Sequence, residues 1–178
     1  MLKKQIITRT PFKVIKPEHI ADNPFKLINK EWMLVTAGEI GSFNTMTASW
    51  GGFGILWNKP VVFCFVRPVR HTYIFMEKSG YFTASFFDKE YREALNYCGK
   101  YSGRDVDKIK ATGLTPISSP AGSVYFNEAR LLLECRKLYF SDIIPENFVL
   151  PEIDLNYPNA DYHRMYIGEI TNCLVREI

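Results

Sequence analysis

The residues best suited to chemistry in this chain lie between positions 41 and 72. Asn44, Thr45, Met46, Thr47, Ala48 and Ser49 put small hydroxyl and amide side chains where a purely structural strand would usually hold larger ones. Small residues let a ligand approach the backbone, and free amide groups there could bond its polar edge. Arg67, Arg70, His71 and Thr72 follow an apolar run, close to where Ile74, Phe75 and Lys78 fall at helical spacing. Unpaired N–H groups at a helix start attract phosphate, and arginine and threonine add charge-assisted and hydroxyl contacts. The order suits a flat aromatic ligand with an anionic tail. Plainer readings stand beside this one. Residues 44–49 alone would make an ordinary hairpin strand with polar outward residues, and 67–72 alone a solvated helix start.

The elements that must position these residues can be read around them. A strand over 32–38 and a hairpin turn at 38–41 lead into the 44–50 segment. The apolar run 61–66 reads as a buried strand turning directly into a helix near Arg70, which Gly80 stops. Residues 81–87 form another strand, and Asp88 is placed to cap a helix over 90–99 with an apolar stripe of Tyr91, Ala94, Leu95 and Cys98. The polar connector 102–108 enters a short helix that Gly113 ends, and 116–122 reads as a loop. Two longer strands span 129–140 and 163–175. The Pro-, Asn- and Asp-rich segment 145–162 between them is long enough to suggest a lid or a partner contact. Ahead of all these, residues 5–16 alternate as an edge strand, and 25–29 could make one helical turn. Many strands with few helices indicate a β-barrel carrying helices on its outside.

At 178 residues the chain is expected to form one domain with a full hydrophobic core. Its 47% hydrophobic and 23% charged content argues against disorder. The formal net charge of +3 comes with no basic tract for nucleic acid, so a small anionic ligand could account for it equally well. Cys64, Cys98, Cys135 and Cys173 are widely spaced and lack partner histidines, which points to buried free thiols rather than zinc or a disulfide framework. No apolar run reaches membrane-spanning length, and the first seven residues are too short and polar for a signal peptide. The expected location is cytoplasmic.

Three further patterns complete the reading. Arg67-Pro68-x-Arg70-His71-Thr72, the 102–108 run Ser102-Gly103-Arg104-Asp105-x-Asp107-Lys108, and Asp161-Tyr162-His163 followed by Ile167-Gly168-Glu169-Ile170 stand in order after the 44–49 segment. Together they resemble the flavin reductase-like proteins, over most of the chain from about 32 to 175. In one departure, Tyr162 separates the acid and histidine that the family pattern has adjacent.

The resemblance implies a mainly β, FMN-binding split barrel with peripheral helices, usually a homodimer with both subunits near the flavin. It implies FMN as cofactor and NADH or NADPH as electron donor, or a flavoredoxin-like role passing electrons to an acceptor protein. Carried over by motif, Thr45, Thr47, Ala48 and Ser49, with Asn44 and Met46 beside them, would surround the ring and ribityl chain. Arg67, Arg70 and Thr72, with His71 and Lys108, would sit near the phosphate. His163 is the candidate catalytic residue, as a nicotinamide contact or proton donor, or else a satisfied strand-end histidine. Trp50 and Trp57 could flank the ring or belong to the core.

No Ser-His-acid order or paired carboxylate stands out, which fits an enzyme whose cofactor carries the chemistry. Three functions compete: an NAD(P)H-dependent flavin reductase, an FMN electron-transfer protein without its own nicotinamide site, and a non-flavin binding module on the same barrel.

Overall fold

The computed structural model describes residues 11–177. The first part of the expected 5–16 strand lies outside the described residues; the rest is strand β1, Phe12–Ile15. A short helix α1, Pro24–Lys26, capped by the Asn23 carboxamide, runs into a wider turn at Leu27–Glu31. There follow β2 (Met33–Glu39), β3 (Ser42–Ala48), β4 (Gly51–Leu56), β5 (Lys59–Val66), helix α2 (His71–Lys78) and β6 (Tyr81–Phe86). Helices α3 (Arg92–Lys100) and α4 (Lys108–Thr112) precede β7 (Pro116–Ser118), β8 (Val124–Phe126), β9 (Leu131–Asp142) and β10 (Arg164–Arg176).

Eight strands form one antiparallel sheet in the order β3-β2-β6-β9-β10-β5-β4, with β1 on the far half of β10. β3 and β4 thus stand at opposite edges of the sheet, yet only Ser49 and Trp50 connect them. Two connecting residues can span no more than roughly 11 Å. The sheet must therefore curl until its edges nearly meet, and it remains open along the side of β3. This is the expected split barrel. Inside it, Met33, Val35, Ala37, Val62, Cys64, Phe82, Leu133 and Tyr166 share one core with Met76 of α2. A second core, built on Leu34, Leu95, Cys98 and Phe126, lies where α3 and β8 cover the outer face of β2. β2 is buried on both faces.

The structure adds to the expected elements and corrects two of them. Gly51–Leu56, rich in glycine, is a strand: its Gly51, Gly52 and Gly54 pair with Cys64, Phe63 and Val61, and Trp57 and Asn58 turn the hairpin at positive φ. The expected 116–122 loop begins as β7, which pairs with β8 in a two-stranded ribbon. Asp88 caps no helix with its side chain, which stands 3.8 Å from Arg130 instead. Gly168 is where β9 and β10 shift register. A Cβ there would stand 2.5 Å from Phe82 and 2.7 Å from Cys135, so only glycine lets the strand lie this close to the core. All four cysteines are free and buried. Among the described residues no helix is long and apolar enough to cross a membrane, and no cluster of His, Cys, Asp and Glu could hold a metal ion.

Candidate functional site

The open side of the barrel is a cleft of about 490 Å³, within the size range of small-molecule sites. β3 forms one wall, the end of β5 and the start of α2 another, and residues 100–103 at the end of α3 a third. Because β3 is an edge strand, its outward backbone groups lack a strand partner. Lys108 Nζ donates to the Thr45 carbonyl at 2.7 Å, which places that carbonyl on the open side. Backbone directions repeat every second residue along a strand, so the Thr47 N–H faces the cleft too.

Asn44, Met46, Thr47, Ala48, Ser49, Arg67, Arg70, His71, Thr72, Lys108 and His163 all line this cleft. Thr45 is the exception. Its hydroxyl lies 2.8 Å from that of Thr36 inside the protein, and its carbonyl accepts from Lys108 and Asn44. Met46 and Ala48 belong to the barrel core, so β3 presents them to the cleft only in part. Trp50 is a half-exposed wall of the cleft, whereas Trp57 stands away from it beside Tyr139; neither is core. Sequence reasoning overlooked Phe65, Val69, Lys100, Tyr101 and Asp161 as cleft walls. The apolar ones carry no signal in the chain, but Lys100 and Tyr101 end a helix directly before a motif already singled out.

One end of the cleft is cationic. Arg70 precedes the first turn of α2, which no side chain caps, and its Nη1 donates to the Gly99 carbonyl at 2.9 Å. Lys100 is close by. Lys108 is only 6% exposed; it donates to Thr45 O and, at 2.9 Å, to Cys98 O, leaving the third ammonium hydrogen without a partner among the described residues. Burial lowers its pKa from the ordinary lysine value. Asn44 Nδ2 donates to the Thr72 hydroxyl at 2.7 Å, joining β3 to α2. Gly103 lies against Asn44 so closely that a Cβ would clash with its carboxamide. His71 Nδ1 is buried without a partner, and burial, followed by the charges of Arg104 and Lys108, holds its pKa down.

Arg67 behaves differently from Arg70. Its Nη1 donates to both Asp161 carboxylate oxygens, at 2.9 and 3.1 Å, its Nη2 donates to Asn156 O at 2.9 Å, and the guanidinium stands 5.1 Å from the Tyr157 ring. Arg67 thus ties the 143–163 segment to the barrel, with its charge balanced by Asp161. Around His163 the cleft is walled by aromatic rings, with the Arg67 charge balanced by Asp161 and Arg70 still near enough to act on the imidazole. His163, 8% exposed, lies between Trp50 (5.1 Å between ring centres), Phe65 (6.4 Å) and Tyr157 (5.5 Å). The Tyr157 hydroxyl is 2.9 Å from its Nδ1. Burial, then the nearby Arg67, lowers the His163 pKa to about 4, so the ring is uncharged at neutral pH.

The cleft can thus receive a flat group along the β3 edge, with cationic groups at the start of α2 and an aromatic pocket around His163. Comparison with known proteins agrees with that geometry. Residues 25–178 match the family model described as the flavin reductase like domain. Flavoredoxin of Desulfovibrio vulgaris (Miyazaki F) is 25% identical with a TM-score of 0.66, the match covering 92% of this chain and 78% of that one. The FMN-binding domain of a flavin reductases-like enzyme from Shewanella baltica OS155 is 18% identical with a TM-score of 0.67, covering 93% and 77%. An FMN-binding protein from Thermus thermophilus is 20% identical with a TM-score of 0.65, covering 92% and 78%. No curated protein matches the chain. With its open barrel and matching motifs, the chain belongs to the flavin reductase like domain family.

Proposed function

We propose that this protein binds FMN in the β3–α2 cleft and acts as an NAD(P)H-dependent flavin reductase. The observation that carries the reading is the polarity of the cleft. Arg70, Lys100, Lys108 and the uncapped start of α2 collect positive charge at one end, which suits a phosphate. The unpaired β3 edge, with the Thr47 N–H on its open side, suits the polar rim of an isoalloxazine ring. The Lys108 ammonium keeps one hydrogen without a partner among the described residues, which a bound ligand would satisfy.

Bound FMN would supply the two-electron chemistry, taking hydride from NADH or NADPH. The chain's own part is to bind and orient. Arg70 and Thr72 hold the anionic tail, with Lys108 behind them. Asn44 fixes Thr72, and Thr47 and Ser49 face the ring. Lys108, pinned to Thr45 and Cys98, keeps the β3 edge at a set distance from α3. His163 stands among the aromatic walls, where a nicotinamide or another acceptor would enter.

The second reading is a flavoredoxin-like electron-transfer protein without its own nicotinamide site, favoured by the likeness to Desulfovibrio flavoredoxin. A homodimer belongs to either reading. Val149 (92% exposed) and Leu155 (81%) stand out from the 143–163 segment beside the cleft, apolar surface that a second subunit would cover. Four unpaired thiols suit a reducing, cytoplasmic location.

Because Trp50 borders the cleft, adding FMN to the purified protein should quench tryptophan fluorescence and induce a visible circular dichroism band. A colourless protein that does neither would refute FMN binding. A monomeric mass with FMN tightly bound would refute the dimer.

A further inference from the structure

We propose that Tyr157 is a positioning residue that fixes His163 as a neutral Nε2–H donor, and that this donor receives an uncharged carbonyl oxygen on a planar second substrate. The proposal rests on the flavin reading above for the identity of the ligand, but not for the state of the histidine.

The argument begins with a count of hydrogens. Tyr157 is 6% exposed, and the only partner of its hydroxyl among the described residues is His163 Nδ1. Were Nδ1 protonated, it would donate to the phenol oxygen, and the phenol hydrogen would be left buried without an acceptor. A buried, unmade hydrogen bond costs about 1–3 kcal/mol. The arrangement that satisfies both groups has the phenol donating to a bare Nδ1, so the ring hydrogen sits on Nε2.

That nitrogen has no protein partner among the described residues, and it is not among the fully buried unsatisfied atoms, so it opens to the cleft that His163 lines. The groups facing the ring are Arg67 from the end of β5, Arg70 ahead of α2, and Asp161 and Tyr157 from the 143–163 segment. Trp50 and Phe65 complete the surroundings without charge. Arg67 and Asp161 are paired with each other, so neither offers an ion to a ligand here. An N–H donor between aromatic walls suits a flat ring bearing an amide or ketone oxygen.

Tyr157 is itself held by its neighbours. Phe148 stacks on it at 6.1 Å and 16°, Tyr162 lies 4.8 Å away, and the Arg67 guanidinium covers its ring. The extra residue Tyr162, which separates Asp161 from His163, thus helps build the clamp that orients His163.

The test reads the histidine directly. Long-range proton–nitrogen spectra of the full chain should show His163 protonated on Nε2 and bare on Nδ1, unchanged between about pH 8 and pH 5. In Tyr157→Phe the ring signals should move toward a mixture of tautomers and the titration should shift to higher pH. A purely structural role would lower the melting temperature without moving either. Nicotinamide and 3-methylpyridine, followed by Trp50 fluorescence, probe the ligand. His163→Leu should weaken nicotinamide about two- to tenfold and leave 3-methylpyridine unchanged, while His163→Gln, which keeps a neutral donor, should restore nicotinamide. An Nδ1-protonated ring in the wild type, or an unaltered spectrum in Tyr157→Phe, overturns the role of Tyr157. Equal losses of both probes overturn the carbonyl contact. If FMN fails to bind, the flavin reading falls, and the spectra of the flavin-free chain still decide the tautomer.

Discussion

Arg70→Ala should weaken FMN far more than riboflavin, because only FMN carries a phosphate for the guanidinium to meet. Arg70 stands exposed at the mouth of the cleft, just before the free N–H groups of α2. A hydrogen bond to a charged group contributes about 1.5–3 kcal/mol, which corresponds to a loss of roughly 10- to 150-fold in FMN affinity. Exposure and salt place the effect toward the lower end, since the screening length near physiological ionic strength is about 8 Å. Arg70 Nη1 also donates to Gly99 O, so some loss common to both ligands is expected from a looser α3 end. The ratio of the two losses isolates the phosphate. The assay is a flavin fluorescence titration of wild type and variant with each ligand, at low and high salt. FMN should lose at least about tenfold more than riboflavin, with a shallower salt dependence in the variant. Equal losses for FMN and riboflavin would refute the placement of the phosphate at Arg70.

Three further outcomes follow from other contacts. The folded pKa of His163, about 4, lies below its unfolded value of about 6.5, so the unfolded chain binds more protons between them. The resulting stability is complete above about pH 6.5 and is lost as pH falls toward 4, by an amount on the order of 3 kcal/mol; urea midpoints of wild type and His163→Gln should converge at low pH, and parallel curves would contradict it. Gly168→Ala should destabilise by about 1–3 kcal/mol through overpacking against Phe82 and Cys135, and an unchanged urea midpoint would show that the strand can shift. Arg67→Ala should free the 143–163 segment to proteolysis while costing less FMN affinity than Arg70→Ala; the reverse order would mean that Arg67 leaves Asp161 to hold the ligand.

The strands nearest the cleft were legible because their signals are local. The apolar run 61–66, the helix start after Arg70, and the Gly113 stop of α4 all fall where residue type dictates. β4 was missed because glycine argues against a strand, and its pairing with β5 overrides that preference. β7 and β8, three residues each, are too short to show a period. Within the cleft, residue types located Arg67 and Arg70 but could not tell them apart. Their difference depends on Asp161, ninety-four positions from Arg67, and appears only when the chain folds. The same holds for Tyr157 and His163. Their spacing of six carries no periodic signal, and the bond between them depends on the path of the intervening turn.

The central claim is that this cleft holds a flavin that nicotinamide can reduce. Anaerobic titration of the FMN-loaded protein with NADH and with NADPH tests it most directly. Loss of the oxidised flavin absorbance, stoichiometric with one of the two, is the predicted result. Bound FMN that neither donor bleaches, but that dithionite reduces, would contradict the reductase and leave the electron-transfer reading in its place.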